Sequence, residues 1–439
     1  MKLHKSRYNF LVKDEENYLI YNSLHNTLGV MDEKVFSLLN DHTQQEEREK
    51  IIQKLQDLGM VTYDEPEVEE TKAILKFIKI VTDDSVLRVI VMPTMQCNFR
   101  CKYCYESYEK GIMDSSIQDA IINYVKKNIQ GHKILRITWF GGEPTLCLDI
   151  IEYINKKCWE IARFYRIKFL SDITTNGYLL TLDNFKKLMK CHVNHFQITV
   201  DGDRKNHDFL RPTAAGTPTY ENILENLINI KDAIQSNLFT IMIRINFTID
   251  MVKDFSRIID NITKRFIDDK RFSFTLREVG NMGGEQVAQI YDKLINRRFS
   301  LANKLIEYDG KINLEAQFNQ FEKYPYCYAI YPSCIVVNPK GIIHKCTVDF
   351  NKDFNNIGKI QEQGKVLSNK NWQKWDELIL KFQENKHCKE CALFASCFGN
   401  ICPKHYVEIG RPIYGICDTY EEWLKAYYKY YKEKFTEIL

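Results

Sequence analysis

Hydrophobic and polar positions divide the chain into three unlike stretches. Over the first 85 residues, short apolar runs at Tyr8–Val12, Tyr18–Tyr21 and Thr27–Val30 alternate with polar turns and read as strands. Two helices are predicted near 32–41 and 45–58, where Ile51, Ile52, Leu55 and Leu58 recur at helical spacing. Met60–Tyr63 could add a strand, and the acidic run Asp64–Glu70 reads as a linker. From about 86 to 300 strand and helix patterns alternate. Strands are predicted at Leu87–Met92, Ile134–Phe140, Ile167–Thr174, His195–Val200, Phe239–Phe247 and Phe272–Leu276, with helices near 115–129, 148–164, 181–190, 220–234 and 251–266. Six βα units in series predict an α/β fold built on a parallel sheet or an open barrel. The segment 284–308 reads as a long helix. Beyond 320 little regular pattern is visible until a Tyr/Lys-rich helix predicted over 419–437.

The chain has 439 residues, 44% of them hydrophobic, enough for about three domains with sizeable cores. A net charge of +3 is too small to argue for nucleic acid or an anionic membrane as partner. The basic start Met1–Arg7 is followed by no long apolar run, and runs such as Val89–Met92 are strand-sized. The expectation is a cytoplasmic chain without a membrane span.

Fourteen cysteines change this picture. In a reducing compartment clustered cysteines read as metal ligands or catalysts, not disulfides. Three lie at 97–104 and eight at 327–417. Cys158 and Cys191 stand apart and read as small buried hydrophobes. Cys147 is also isolated, but nearer the Gly141–Pro144 loop.

Cys97-Asn98-Phe99-Arg100-Cys101-Lys102-Tyr103-Cys104 has the spacing C-x3-C-x2-C and follows the first strand of the βα series. Three thiolates on one loop can hold three irons of a four-iron cluster and leave the fourth iron open. An open iron can be chelated by the amino and carboxylate groups of a small molecule, as needed to pass one electron into a sulfonium and break its C–S bond. The competing reading is structural zinc, which wants four closed ligands. No fourth cysteine is near, and the nearest downstream histidine is His132.

This motif resembles the signature of the radical S-adenosylmethionine (SAM) superfamily, including the aromatic Tyr103 before the third cysteine. Gly141-Gly142-Glu143-Pro144, Thr175-Asn176-Gly177, Gln197–Gly202 and Asp208–Pro212 follow at or just beyond predicted strand ends, in the order of that family. Strand C-terminal ends are where parallel βα barrels place active sites. The resemblance implies a partial (β/α)6 barrel in which Cys97, Cys101 and Cys104 ligate the SAM-bound cluster. It implies SAM contacts from Tyr103, Gly142, Glu143, Thr199 and Arg211. Arg244 and Asn246 join them as polar residues on one side of an apolar strand, and a solvent-facing or structural role stands beside that reading.

The second group reads Cys327-x6-Cys334-x11-Cys346, then Cys388-x2-Cys391-x5-Cys397-x4-Cys402-x14-Cys417. Eight thiolates make two four-ligand sites, of zinc or of iron–sulfur on spacing alone. With Gly341 before Cys346, the region is similar to the SPASM domain, a C-terminal extension of radical SAM enzymes that modify peptides and proteins. That similarity implies interleaved ligands. Cys327, Cys334, Cys346 and Cys402 would hold a first auxiliary cluster, and Cys388, Cys391, Cys397 and Cys417 a second. The cofactors implied are three [4Fe-4S] clusters and SAM, with a flavodoxin or ferredoxin as electron donor.

In sulfatase-activating relatives an aspartate follows the third SPASM cysteine as base and a glutamine precedes the glycine loop. Here Thr347 and Phe140 stand there, and Asp349 is displaced from the pattern. The layout of the first 85 residues resembles the winged-helix-like leader-recognition domains of ribosomal peptide maturases, which add a precursor peptide as a strand to a sheet edge; a structural cap is the competing reading. The resemblance thus implies residues 1–85 as leader-recognition domain, 86–310 as radical SAM barrel and 311–439 as SPASM domain. The activity implied is abstraction of hydrogen from a precursor peptide by a 5′-deoxyadenosyl radical, leaving a thioether or carbon–carbon crosslink or another oxidation. The alternatives are a sulfatase-maturating type of protein oxidase and a non-catalytic peptide-binding subunit. No catalytic base can be named from the sequence.

Overall fold

The computed structural model describes residues 3–38, 45–282, 284–293, 327–378, 385–397, 402–410 and 417–438. The N-terminal part opens with β1 (His4–Lys5), β2 (Asn9–Asp14), β3 (Asn17–Asn22) and β4 (Thr27–Asp32). β2, β3 and β4 form an antiparallel meander, and β1 pairs with β5 (Val61–Thr62). Helices Glu33–Leu38 and Gln45–Asp57 follow the meander; residues 39–41 of the first predicted helix lie outside the described residues.

The acidic run read as a linker is instead the start of a helix, Pro66–Val81. Pro66 suits a first helical position, and Glu67 and Glu69 face the positive end of the helix dipole. Glu69 is buried and accepts hydrogen bonds from the Ser6 hydroxyl and the Arg7 amide.

The central part holds β6 (Val86–Val91), β7 (Ile134–Trp139), β8 (Lys168–Thr175), β9 (His195–Thr199), β10 (Thr240–Phe247) and β11 (Phe272–Glu278). These pair in parallel and in sequence order. The connecting helices bury one apolar stripe each; Leu148–Phe164 buries Ile150, Ile151, Ile154, Cys158 and Ala162. Trp139 Nε1 donates to Asn155 Oδ1 (3.1 Å), whose amide nitrogen donates to Ser171 Oγ (2.9 Å) and the Cys191 carbonyl (2.8 Å). Helix and sheet are thereby joined through a satisfied buried polar network. Cys158 and Cys191 are both in the core.

The cysteine-rich region is more regular than its sequence suggests. β12 (Cys334–Val337) lies parallel to β6 and carries the sheet onward, and β13 (Ile342–His344), β14 (Asn356–Ile360) and β15 (Val366–Ser368) complete ten strands as an antiparallel meander. Of the predicted helix 284–308, residues Glu285–Lys293 form a 3-10 stretch kinked at Ile290; 294–308 lie outside the described residues. The last helix runs over Cys417–Tyr430, not to 437. Beyond it β16 (Thr436–Glu437) joins the N-terminal sheet beside β4.

The N-terminal part also grips the loop that carries Cys388 and Cys391. Arg7 donates to the Lys389 carbonyl, and Ser23 Oγ donates to the Ala392 carbonyl at 2.5 Å. Glu70 pairs with Lys389 (3.2 Å) and Arg7 (3.7 Å). No helix among the described residues is long and apolar enough to cross a membrane.

Candidate active site

The loop after β6 carries Cys97, Cys101 and Cys104 and is clamped from two sides. On one side the Gly142 and Glu143 amides donate to the Thr94 (3.2 Å) and Gln96 (2.8 Å) carbonyls. On the other, Arg100 and Lys102 amides donate to the Pro212 and Leu210 carbonyls, both at 2.9 Å. The glycines at 141 and 142 serve this clamp. A Cβ at Gly142 would lie 2.1 Å from the Gln96 oxygen, and Gly141 sits at φ +112° with its Cβ direction 2.6 Å from the Thr94 oxygen. The close approach that these glycines permit in the structure is to protein backbone.

The three thiols line one cavity of about 190 Å³ together with Tyr103, Gly142, Glu143, Thr199, Arg211, Arg244 and Asn246. Every cofactor-contact candidate from the sequence is thus gathered around the cysteine triad. A larger open groove of about 1150 Å³, between residues 109–120 and 338–365, is lined by no cysteine.

Several of these side chains are already engaged. Glu143 is buried, and its carboxylate accepts from the Thr145 amide (3.0 Å), Thr145 Oγ1 (2.5 Å), Thr175 Oγ1 (2.6 Å) and the Asn176 amide (2.7 Å). It braces the ends of β7 and β8 against each other. The Tyr103 hydroxyl donates to Asp201 Oδ2 and accepts from Arg211 Nη1 (2.6 Å) and Asn246 Nδ2 (3.1 Å). Asp201 Oδ1 accepts from the Asn246 amide (3.0 Å), and Arg244 Nε donates to Asn246 Oδ1 (2.8 Å). Burial pushes the Asp201 carboxyl up, while the Arg211 charge, the Tyr103 hydroxyl and the Asn246 amide pull it back. Arg211 is buried, and among the described residues its Nε has no partner. That buried donor beside the cavity suits the carboxylate or hydroxyl of a bound molecule.

In the sequence Asp201 and Asn176 stand out only as members of the motifs Gln197–Gly202 and Thr175–Gly177. Asn176 Nδ2 donates to Asn98 Oδ1 at 2.7 Å, beside Cys97. His207, just before the Asp208–Pro212 motif, carries no signal in the sequence. Its Nδ1 accepts the Asp201 amide (3.0 Å), so its Nε2 carries the proton and donates to Thr219 Oγ1 (3.1 Å), which donates to the Arg211 carbonyl (2.7 Å). His207 therefore spans the loop between Asp201 and Arg211. Burial and the Arg211 charge hold it well below the ordinary value of 6.5. Because the folded protein refuses a proton that the unfolded chain accepts, this stabilisation is whole above pH 6.5 and declines as the pH falls below it. Urea unfolding from about pH 5 to 8 is expected to show that decline in the wild type and a flatter profile in His207→Gln.

The donor chemistry of the triad fits an iron–sulfur cluster. Burial pushes the Cys97 and Cys104 thiols up, and that of Cys101 to about 12; metal binding, which takes the thiolate, reverses that cost. A structural zinc wants four closed ligands, and among the described residues lining this cavity no histidine or fourth cysteine joins the three thiols. Thiols spread around a shared cavity suit a cluster whose irons each take their own sulfur.

In the C-terminal region Cys327 lies within electrostatic reach of Cys334, Cys346 and Cys402, as Cys346 does of Cys402. Cys334 and Cys346 are buried, and Cys327 and Cys402 half-buried. These four could hold one site. Cys388, Cys391 and Cys397 lie together on residues 388–397; Cys417 opens the last helix, with its side chain outside the described residues. Cys147 is buried, its thiol pushed up to about 11, and is not among the residues lining the triad's cavity.

Comparison with known proteins bears on the parallel sheet and its cysteine loop. The Radical SAM superfamily model matches residues 91–259, from the end of β6 into the helix after β10. The radical SAM cyclopropyl synthase TigE of Paramaledivibacter caminithermalis is 23% identical over 477 aligned positions, covering 94% of this chain and 93% of TigE. Among solved structures, anSMEcpe with bound AdoMet superposes with a TM-score of 0.60 at 18% identity, covering 79% of this chain and 97% of that one. Streptococcus suis SuiB bound to its precursor peptide SuiA gives a TM-score of 0.50 at 17% identity, over 93% of this chain and 96% of SuiB. The family implies a [4Fe-4S] cluster and SAM at the triad. Residues 91–259, which carry the cysteine loop and the parallel strands from the end of β6 to β10, are thus a Radical SAM domain.

Proposed function

We propose that the chain is a radical SAM/SPASM peptide maturase that installs a thioether or carbon–carbon crosslink, or another oxidation, in a ribosomal precursor peptide. In this reading residues 1–85 receive the leader, 86–310 cleave SAM, and 311–439 hold two auxiliary [4Fe-4S] clusters. The observation that carries it is the return of Cys402 to the Cys327–Cys334–Cys346 group, the interleaving expected of a SPASM domain. SuiB, similar in fold, has been solved with a precursor peptide, and TigE, similar over nearly its whole length, is a cyclopropyl synthase.

When bound, the clusters and SAM supply a 5′-deoxyadenosyl radical that takes a hydrogen atom from an unactivated peptide carbon, and an acceptor for the second electron lost. The chain's own residues bind and orient. Cys97, Cys101 and Cys104 would hold the SAM-binding cluster, and Arg211 Nε, Tyr103, Gly142, Thr199, Arg244 and Asn246, which line the same cavity, would contact SAM. Glu143 acts by bracing the strand ends. The sulfatase-maturing alternative is disfavoured by what stands near its base. Asp349 is paired with Lys404, and Thr347 is held by the Tyr328 hydroxyl, 2.9 Å from its amide and 2.6 Å from its Oγ1.

The test is co-expression with a short peptide encoded beside the gene, read by mass spectrometry. The expected product is lighter by the hydrogens that a new bond removes. An unchanged peptide, with SAM cleavage intact, would remove the maturase reading. Cys388→Ala is expected to keep part of the SAM cleavage while product falls to background. Product at the wild-type rate would make the second auxiliary site dispensable.

A further inference from the structure

The outer edge of β4 is closed by the chain itself. Thr436 pairs with Gly29 and Glu437 with Val30 in parallel register, and the Ile438 amide donates to the Val30 carbonyl at 2.8 Å. The Ile438 side chain is buried among Ile20, Met31, Ile51, Leu55 and Met60. Gly29 makes the room: a Cβ there would stand 2.7 Å from Ile438 Cδ1. The Thr436 and Glu437 side chains are exposed.

The seat therefore reads one side chain, a branched aliphatic one, and otherwise offers main-chain hydrogen bonds that any extended sequence can make. That is the chemistry of strand addition. The resident strand is short, pairing two of the six residues of β4. It follows a turn, Lys432–Lys434, with no buried residue. A longer strand would make more bonds along the same edge.

We propose that the β4 edge is the docking site for an extended segment of the substrate peptide carrying a branched aliphatic residue, and that residues 436–438 occupy it until the peptide displaces them. This rests on the peptide reading given above. A resident strand that fills the site nine-tenths of the time lowers the apparent affinity of a competitor about tenfold.

The probe is a fluorescein-labelled peptide with the sequence of residues 431–438, titrated into the full-length protein and followed by anisotropy. Ile438→Asp in the protein, which expels the resident strand, is expected to tighten binding about tenfold over wild type. Ile→Asp in the probe, or Gly29→Val added to the Ile438→Asp protein, is expected to abolish it. Equal affinity for wild type and Ile438→Asp would overturn the proposal. Hydrogen exchange on the wild type needs no variant. The Ile438 amide is expected to exchange much faster than the β3–β4 ladder amides, and equal protection would make residues 436–438 a permanent part of the sheet. The two readings fail separately. A probe that binds as expected while no precursor is modified keeps the docking site and removes the maturase. A precursor modified with the same KM by wild type, Ile438→Asp and Gly29→Val does the reverse.

Discussion

Replacing Cys97, Cys101 and Cys104 together by Ala is expected to lower the iron of anaerobically reconstituted protein from about twelve to about eight atoms per chain, the content of three and two four-iron clusters. SAM cleavage with dithionite is expected to vanish. The reason is local: all three thiols line one cavity, on a loop clamped by Gly142, Glu143, Leu210 and Pro212, and among the described residues no other cysteine lines that cavity. The eight cysteines from 327 to 417 are untouched in this variant. Iron that stays at twelve would move the triad out of the cluster chemistry. Zinc in place of iron at residues 388–417 of anaerobically purified protein would overturn the second auxiliary cluster.

The next largest effect is expected at Asp201. Its side chain is fully buried, and its removal leaves the Arg211 guanidinium, 8% exposed, without its carboxylate. Breaking a buried pair from one side costs about 3–5 kcal/mol, because the remaining charge is stranded. Asp201→Ala is expected to lose stability on that scale in urea unfolding and to lose SAM cleavage with it. Tyr103→Phe removes one hydroxyl from the same network and is expected to cost about 1–3 kcal/mol. An Asp201→Ala protein as stable as wild type would show that Arg211 finds another partner and that the network does not hold the site.

These two residues also mark what the sequence makes legible. The βα alternation is written locally, in apolar runs and amphipathic stripes, and the strands at Ile134, His195 and Phe272 begin where the pattern puts them. The triad is equally local. The network behind it is not. Tyr103 meets Asp201, Arg211 and Asn246 across 98, 108 and 143 residues. Only the topology, by bringing the ends of β9 and β10 together, makes them one group. Charge misled the reading at Asp64–Glu70, where a run that reads as solvated includes the buried Glu69, whose carboxylate accepts from the Ser6 hydroxyl and the Arg7 amide of the first strand region. The strands β12 to β15 are 3–5 residues long, too short to show a period. β12 exists because β6 offers an edge. The Tyr/Lys-rich end has a helical composition, yet Thr436 and Glu437 are extended because β4 pairs with them.

The grip of Arg7, Ser23 and Glu70 on the loop between Cys388 and Ala392 bears on how shortened forms of the protein behave. Cutting away the first 85 residues removes a peptide-binding candidate and, in the same stroke, three anchors beside two thiols. Such a truncate is expected to lose iron from the 388–417 cysteines as well as affinity for a peptide, so that its inactivity alone does not tell which loss caused it. Gly29 and Ile438 belong to a separate apolar cluster with Ile20, Met31, Ile51, Leu55 and Met60, so substitutions there are expected to disturb recognition while leaving the metal inventory whole. Counting iron in both kinds of protein separates a defect of grasp from a defect of wiring.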